Sequence, residues 1–207
     1  MKRPLLITDC DEVLLHMVSH FAEWLDEAHG VDFALGAANF HESLTYKESG
    51  QRVPAEILWP LLNGFFESEM HRQNIVPGAA EALARIGEVA DIIVLTNIGQ
   101  EFEAGRVEQL DAFGIRHRVI CNSGGKGPPV GDLIERFDPS VAVFVDDLPQ
   151  HHESVAEHAA SVWRLHMIAE PKLAVHMPPA PHAHARIDDW NDASQWILDR
   201  FAEGPAS

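Results

Sequence analysis

The stretch Leu5-Leu6-Ile7-Thr8-Asp9-Cys10-Asp11-Glu12-Val13 joins a short apolar run to two carboxylates spaced two residues apart. The run is bounded and partly β-branched, which predicts a buried strand. Side chains alternate along an extended backbone, so Asp9 and Asp11 should face the same pocket while Cys10 turns away. Because ligands of α/β sheets bind at the carboxyl ends of the strands, this pair is the first candidate site.

The sequence after residue 76 alternates between helix and strand patterns. It predicts strands at 91–95, 118–121, 141–145 and 161–165, and helices at 79–88, 101–113, 130–137, 149–159 and 192–201. Strands separated by single helices imply a parallel sheet with both faces covered. The run 141–145 is apolar throughout, as a central strand should be. We therefore predict an α/β fold with a doubly wound parallel sheet.

Residues 15–75 interrupt this pattern. Apolar residues recur at helical spacing from Met17 to Ala28 and again from Ala55 to Glu69, where Pro60 should kink or break the helix. The piece between them is polar and irregular, and no strand is obvious. We predict a small α-helical domain at 15–75, inserted after the first strand, and a core made of 1–14 and 76–207.

Composition excludes several classes of protein. The 207 residues include 32 acidic and 15 basic side chains, a net charge of −17, which would repel nucleic acid and anionic lipid. The two cysteines, Cys10 and Cys121, form no CxxC pair, which fits a reducing compartment. No run of about 18 apolar residues occurs. We predict a cytoplasmic protein with neither a nucleic-acid nor a membrane partner.

Polar side chains also follow three of the other predicted strands. They are Thr96 and Asn97, Lys126 in a glycine-rich loop, and the acidic pair Asp146 and Asp147. Carboxylates that meet at one edge of a sheet repel one another and need a cation. Mg²⁺, a hard ion that prefers oxygen ligands, is the natural occupant.

These residues resemble the motifs of the haloacid dehalogenase-like superfamily, and they occur in the family's order. The motifs are Ile7-Thr8-Asp9-Cys10-Asp11-Glu12-Val13, Leu95-Thr96-Asn97, Lys126 and Phe144-Val145-Asp146-Asp147. The resemblance covers residues 1–14 and 76–200, and implies a Rossmann-like core. The helical insert resembles the family's C1-type cap, which covers the active site.

The resemblance also implies a role for each residue. Asp9 would be the nucleophile that becomes an aspartyl phosphate, and Asp11 the general acid and base. Asp9, the Asp11 backbone carbonyl, Asp146 and Asp147 would hold Mg²⁺, and Thr96, Asn97 and Lys126 would bind the phosphoryl oxygens. The implied activity is a Mg²⁺-dependent phosphatase that acts on a small phosphorylated metabolite.

The sequence departs from the family pattern at two positions. Glu12 replaces the common glycine after Asp11, and it either alters the turn or adds a carboxylate near the leaving group. His151 stands where many relatives have Asp or Asn, so it either caps the following helix, which we favour, or supports the site. Of the acidic pair, we favour Asp147 as the direct metal ligand, with Asp146 as its support.

Other activities use similar residues. A phosphomutase would keep both aspartates. A 2-haloacid dehalogenase would share Asp9 but has no alkoxide to protonate, so Asp11 argues against it. Phosphoacceptor modules of the receiver type also cluster aspartates, a threonine and a lysine, but their lysine follows the last acidic motif, whereas Lys126 precedes Asp146. A relative that only binds phosphorylated ligands is a further alternative.

Overall fold

A computed structural model describes residues 2–34 and 42–206 of the chain. Its strands are β1 Leu5–Thr8, β2 Val31–Phe33, β3 Leu44–Tyr46, β4 Asp91–Thr96, β5 Arg118–Cys121, β6 Ala142–Asp146, β7 Trp163–His166 and β8 Ala185–Arg186. Its helices are α1 Val18–His29, α2 Ala55–Ser68, α3 Ala79–Gly87, α4 Glu103–Ala112, α5 Gly127–Phe137, α6 Pro149–His158, α7 Pro171–Ala174 and α8 Trp190–Glu203. Among these residues, no helix is long and apolar enough to cross a membrane.

The main sheet has six parallel strands in the order β5-β4-β1-β6-β7-β8. Ile7 of β1 lies opposite Ile93 of β4 on one side and Phe144 of β6 on the other. The chain builds outward from β1 in both directions, which confirms the doubly wound α/β fold. The strand order reverses between β1 and β6, and ligands of such sheets bind at that reversal.

Side chains alternate between two apolar clusters, one on each face of the sheet. Leu6 and Val143 belong to the cluster that includes Leu83 of α3 and Trp190 of α8. Ile7 and Phe144 face the opposite way, where the cluster includes residues of α5 and α6. Both central strands are therefore buried on both faces, and their carboxyl ends are held rigidly.

The inserted segment has an apolar cluster of its own, in which α1, α2 and a two-stranded hairpin meet around Phe21 and Phe65. The expectation of no strand in this segment was wrong, because β2 pairs with β3 in antiparallel fashion. Strands of three residues are too short to show a period-two pattern. The domain boundaries remain a prediction, and His41, at the start of the irregular piece, lies outside the described residues.

A break at Pro60 does not occur, since α2 runs without interruption from Ala55 to Ser68, and the alternative expectation of a kink stays a prediction. Pro60 lies in the amino-terminal half of the helix. Because proline has no N–H, one intrahelical hydrogen bond is missing there. Burial of Leu58, Leu61 and Leu62 in the insert's apolar cluster offsets that loss.

Candidate active site

Three buried carboxylates meet where β1 and β6 end. Asp9 follows β1, Asp146 is the last residue of β6, and Asp147 follows it; one oxygen of each lies within 4.8 Å of the others. Among the described residues, this is the only group of three or more His, Cys, Asp or Glu side chains placed to share an ion. The Asp9 N–H donates to the carbonyl of Val145 at 2.8 Å, which ties the two strand ends together.

Lys126 lies inside this carboxylate cluster and is fully buried. Its Nζ is 2.8 Å from Asp9 Oδ1 and 2.7 Å from Asp146 Oδ2. Burial alone would lower the pKa of Lys126, but the charges of Asp146 and Asp9 outweigh burial and raise it. The lysine therefore stays protonated and neutralises part of the cluster; its predicted contact with phosphoryl oxygens stays a prediction.

Glycines bring the Lys126 loop against α6. A Cβ on Gly127 would lie 2.1 Å from the carbonyl oxygen of Ser154, and one on Gly125 would lie 2.7 Å from Ser154 Oγ. The Gly127 N–H donates to the same Oγ at 3.0 Å. Only residues without a side chain allow the start of α5 to approach α6 so closely, and this approach positions Lys126.

Replacing Gly127 with alanine should therefore lower the free energy of unfolding by about 3 kcal/mol, the upper range for overpacking. The added methyl group would meet a backbone oxygen that cannot move aside alone. Chemical denaturation measures the change. Gly131→Ala is the matched control on the same helix, because its Cβ would lie 3.7 Å from the nearest backbone oxygen, an ordinary contact. Equal stability of the two variants would contradict the packing argument.

Asp9 has one engaged and one open carboxylate oxygen among the described residues. Its Oδ1 accepts hydrogen bonds from Lys126 and from the N–H of Cys10 at 2.7 Å, while the described residues donate none to Oδ2. Burial raises the pKa of Asp9 to about 7, although Lys126 opposes the rise and Asp146 adds to it. A bound cation would favour the ionised form that attacks.

The two members of the acidic pair differ in their partners. Asp146 accepts from Lys126 and, through Oδ1, from the N–H of Leu148 at 2.9 Å. Burial would raise the pKa of Asp146, but the charge of Lys126 and its hydrogen bond outweigh burial and lower the pKa. No described residue donates to the Asp147 carboxylate, and burial, Asp146 and Asp9 raise its pKa well above the usual range. An unneutralised buried carboxylate beside two others fits a position for a cation.

Two histidines hold the backbone of the acidic pair. His152 Nε2 lies 3.0 Å from the carbonyl oxygen of Asp146, and His166 Nε2 lies 2.8 Å from that of Asp147. His166 Nδ1 accepts from the N–H of Ala180, so its Nε2 carries the proton and donates. Burial lowers the pKa of His152 to about 4 and also lowers that of His166. Both rings are therefore neutral and orient the strand end that carries the carboxylates.

Thr96 and Asn97 lie at the adjacent strand end. Thr96 Oγ1 is buried and has no hydrogen-bond partner among the residues that the structure describes, so it is available to a ligand. Asn97 Nδ2 donates to the carbonyl of Gly124 at 2.9 Å and lies 3.3 Å from His151 Nε2. The helix-cap interpretation of His151 was wrong: Leu148 is the N-cap of α6 without a side-chain hydrogen bond, and His151 is directed toward Asn97.

Asp11 lies apart from the three carboxylates. Arg106 Nη2 is 3.0 Å from each of its carboxylate oxygens, and Gln73 Nε2 donates to Oδ1 at 2.6 Å. Sequence reasoning missed both Arg106 and Gln73. One signal was present, because Arg106 lies one helical turn before Leu110, the other buried residue of α4. The proposed metal contact of Asp11 involves its backbone carbonyl and stays a prediction.

Glu12, a position at which the sequence departs from the family pattern, adopts the left-handed conformation with φ of 58°. Its Oε1 accepts from the N–H groups of Met17 and Val18 at 2.8 and 2.6 Å, and its Oε2 accepts from that of Glu170 at 3.1 Å. Glu12 thus joins the first motif to the start of α1. Burial raises the pKa of this carboxyl to about 7.

This doubly wound sheet, with an insert after β1 and carboxylates at the ends of β1 and β6, has the fold of the haloacid dehalogenase-like hydrolases. No protein-family model and no curated protein matches the sequence. Solved structures do match, and a hydrolase of this family from Deinococcus radiodurans, with bound phosphate and sodium, is 12% identical. The alignment covers 94% of this chain and 95% of that one, with a TM-score of 0.63.

Two further solved structures show how varied such proteins are. The D,D-heptose 1,7-bisphosphate phosphatase from B. bronchiseptica, complexed with magnesium and phosphate, is 12% identical over 96% of this chain and 99% of its own, with a TM-score of 0.57. A candidate β-phosphoglucomutase from Thermotoga maritima is 16% identical over 95% and 99%, with a TM-score of 0.62. At such identities the likeness shows the fold alone.

Proposed function

We propose that this chain is a Mg²⁺-dependent phosphatase of a small phosphorylated metabolite in the cytoplasm. The observation that carries the proposal is the buried cluster of Asp9, Lys126, Asp146 and Asp147 at the point where the strand order reverses. Among the described residues, none donates to Asp9 Oδ2 or to the Asp147 carboxylate, and Lys126 supplies a positive charge beside them. This set suits a phosphate dianion and a cation.

In the first step, Asp9 Oδ2 attacks phosphorus, and the bond between phosphorus and the ester oxygen breaks. Asp11 gives its proton to the departing alkoxide. In the second step, water attacks the aspartyl phosphate while Asp11 takes a proton from that water. The Asp9–phosphorus bond then breaks, which releases inorganic phosphate and restores the Asp9 carboxylate.

Lys126 and Thr96 stabilise the transferring group. Lys126 Nζ and Thr96 Oγ1, which has no partner in the described part of the chain, donate to the phosphoryl oxygens, where negative charge develops. Asn97 orients the Lys126 loop through its hydrogen bond to Gly124 and offers an exposed amide at the same edge.

The carboxylates of Asp9, Asp146 and Asp147, with the backbone carbonyl of Asp11, would hold Mg²⁺. Oxygen ligands of this kind are those that Mg²⁺ prefers. Asp147 is the strongest candidate for a direct ligand, since Lys126 and Leu148 already engage Asp146. When bound, the ion reduces the repulsion between the Asp9 carboxylate and a phosphate dianion.

A phosphomutase is the second candidate, favoured by the likeness to the Thermotoga maritima protein and by the presence of both Asp9 and Asp11. It would transfer the phosphoryl group from Asp9 to a second hydroxyl of the substrate instead of to water. A requirement for a bisphosphate activator would distinguish it from a phosphatase.

A screen of phosphate monoesters with Mg²⁺, with and without a chelator, tests the proposal. We expect chelator-sensitive release of phosphate, and a loss of kcat by a factor of about 10⁴ in Asp9→Asn, as for removal of other nucleophiles. Asp132→Asn is the matched control, since Asp132 is an exposed residue of α5.

Failure to hydrolyse any ester, or an unchanged rate in Asp9→Asn, would contradict the proposal. Stable phosphorylation by acetyl phosphate without turnover would instead indicate a phosphoacceptor. Halide release from 2-haloacids would indicate a dehalogenase.

A further inference from the structure

Glu12 has a backbone conformation that is unusual for its residue type. Among the described residues, only Glu12 and Asp138 have a positive φ without being glycine. An L-residue rarely adopts this left-handed conformation, because its Cβ comes too close to a backbone oxygen. The conformation persists only where surrounding contacts hold it, and it is found most often at functional sites.

The Glu12 carboxylate supplies such contacts. It is 1% exposed, and it accepts hydrogen bonds from the N–H groups of Met17 and Val18 at the start of α1 and of Glu170 after β7. Three donors from two distant segments therefore fix the side chain of Glu12 relative to its backbone.

The backbone contacts of Glu12 orient the carbonyl of Asp11. The Glu12 N–H donates to the carbonyl oxygen of Leu15 at 2.8 Å, and the Glu12 carbonyl accepts from the N–H of Ala169 at 2.8 Å. In a trans peptide the N–H and the preceding C=O point in opposite directions, so the Asp11 carbonyl is directed away from Leu15. No donor in the described part of the chain engages this oxygen. Such an oxygen, two residues after Asp9, is of the kind that a hard cation takes as a ligand.

We propose that Glu12 is a positioning residue for the metal ion, because its carboxylate holds the left-handed backbone that presents the Asp11 carbonyl as a ligand. The inference rests on the proposed function, which assigns that carbonyl to the ion. Glu12 neither touches the substrate nor exchanges a proton in this role.

Two other roles have to be distinguished from this one. Burial is the main cause of the raised pKa of Asp147, and the charge of Glu12 adds to it, so Glu12 could act on a cation through its charge alone. Glu12 could also serve only to cap α1, which would affect folding and not the ion.

Substitution of Glu12 by alanine and by glycine separates the three roles. Both variants lose the charge and the three hydrogen bonds, but only glycine adopts a positive φ without steric cost. We would measure the Kd of Mg²⁺ by isothermal titration calorimetry. Glu12→Ala should bind Mg²⁺ about 10–100-fold more weakly than wild type, the range for loss of a residue that orients a metal ligand. Glu12→Gly should stay within about threefold of wild type, because its backbone still reaches the left-handed region.

Asp138 provides the matched control, since it is the other left-handed residue that is not glycine. It follows the last residue of α5, about 16 Å of helix from Lys126 at the other end. Asp138→Ala and Asp138→Gly should leave the Kd of Mg²⁺ unchanged.

Equal Mg²⁺ affinity of Glu12→Ala and Glu12→Gly would overturn the positioning role and leave the phosphatase proposal intact. Absence of Mg²⁺ binding by wild type would overturn both. If Glu12→Ala does not fold, hydrogen exchange in wild type decides, because the ion and the Glu12 contacts then stabilise the same conformation. Mg²⁺ should slow exchange of the Met17 and Val18 amides by about tenfold, within the range for coupled sites. The amide of Phe201, in the last turn of α8, exchanges by local opening and should not respond. Unchanged exchange at Met17 and Val18 would overturn the positioning role.

Discussion

Replacement of Lys126 by methionine should destabilise the metal-free protein by about 3–5 kcal/mol, the range for removal of one partner of a buried ion pair. The methionine would fill a similar volume, so lost packing is a small part of the effect. The main part is electrostatic, because Asp9 and Asp146 would lose the charge that lies within 2.8 Å of each. The pKa of Asp9, already raised to about 7, would rise further, and turnover should fall with it.

A double-mutant cycle isolates this effect. Lys126→Met, Asp146→Asn and the double variant would be unfolded by denaturant in the presence of a chelator. Asp146→Asn alone removes the partner on which Lys126 depends, so each single change should be costly. The double variant should be less destabilised than the sum of the two, by about 1–3 kcal/mol of coupling.

Lys172→Met is the matched control, because Lys172 is exposed on α7. It should change stability by no more than about 0.5 kcal/mol. Strict additivity of the Lys126 and Asp146 changes would contradict the mutual neutralisation that the structure shows.

The sequence predicted those strands whose apolar residues match the faces that are buried in the structure. The run 141–145 is apolar because β6 is buried on both faces, and the run before Asp9 is apolar for the same reason. Because β1 and β6 are parallel neighbours, their carboxyl ends lie side by side at the same edge of the sheet. The meeting of Asp9 with Asp146 and Asp147 was therefore predictable without any knowledge of side-chain contacts.

The residues that sequence reasoning missed depend on contacts between distant segments. Arg106 meets Asp11 across 95 residues, and an arginine within an amphipathic helix is ordinarily assigned to the surface. His166 was missed for the same reason, because its partners, the Asp147 carbonyl and the Ala180 N–H, lie on other segments of the chain. Such contacts carry no local signal, because the partner is chosen by how the elements pack.

His151 and the hairpin of the insert show a second kind of difficulty. A polar residue near a helix start usually caps it, yet His151 is directed toward Asn97 because α6 begins beside the end of β4. The strands β2 and β3 have three residues each and depend on their pairing. In both cases the local tendency is weak and tertiary packing decides.

Replacement of Asp147 by asparagine should have the opposite effect on stability from replacement of Asp146. Asp147 is a buried carboxylate without a hydrogen-bond donor among the described residues, and burial with the charges of Asp146 and Asp9 raises its pKa well above 3.8. Removal of this charge should stabilise the metal-free protein by about 1–2 kcal/mol, as for other destabilised active-site groups. Asp146→Asn should destabilise it, because Lys126 would lose a partner.

The pH dependence of stability should change in the same variant. When a carboxyl has a raised pKa in the folded state, the folded protein binds more protons than the unfolded one, so stability falls as pH rises toward that pKa. Wild type should therefore lose stability as the pH rises above about 4 more steeply than Asp147→Asn does, by up to about 1.4 kcal/mol per pH unit for one proton. Thermal or chemical denaturation in the presence of a chelator measures both slopes.

Addition of Mg²⁺ then shows whether Asp147 is a metal ligand or only a buried charge that destabilises the metal-free protein. An ion present at 100 times its dissociation constant should stabilise wild type by about 2.7 kcal/mol, and Asp147→Asn should show little of this gain. Asp147→Asn would thus raise the stability of the metal-free protein and abolish the stabilisation that Mg²⁺ gives to wild type. Unchanged Mg²⁺ stabilisation in Asp147→Asn would instead assign the direct contact to Asp146, whose carboxylate would then have to share the ion with Lys126 at 2.7 Å.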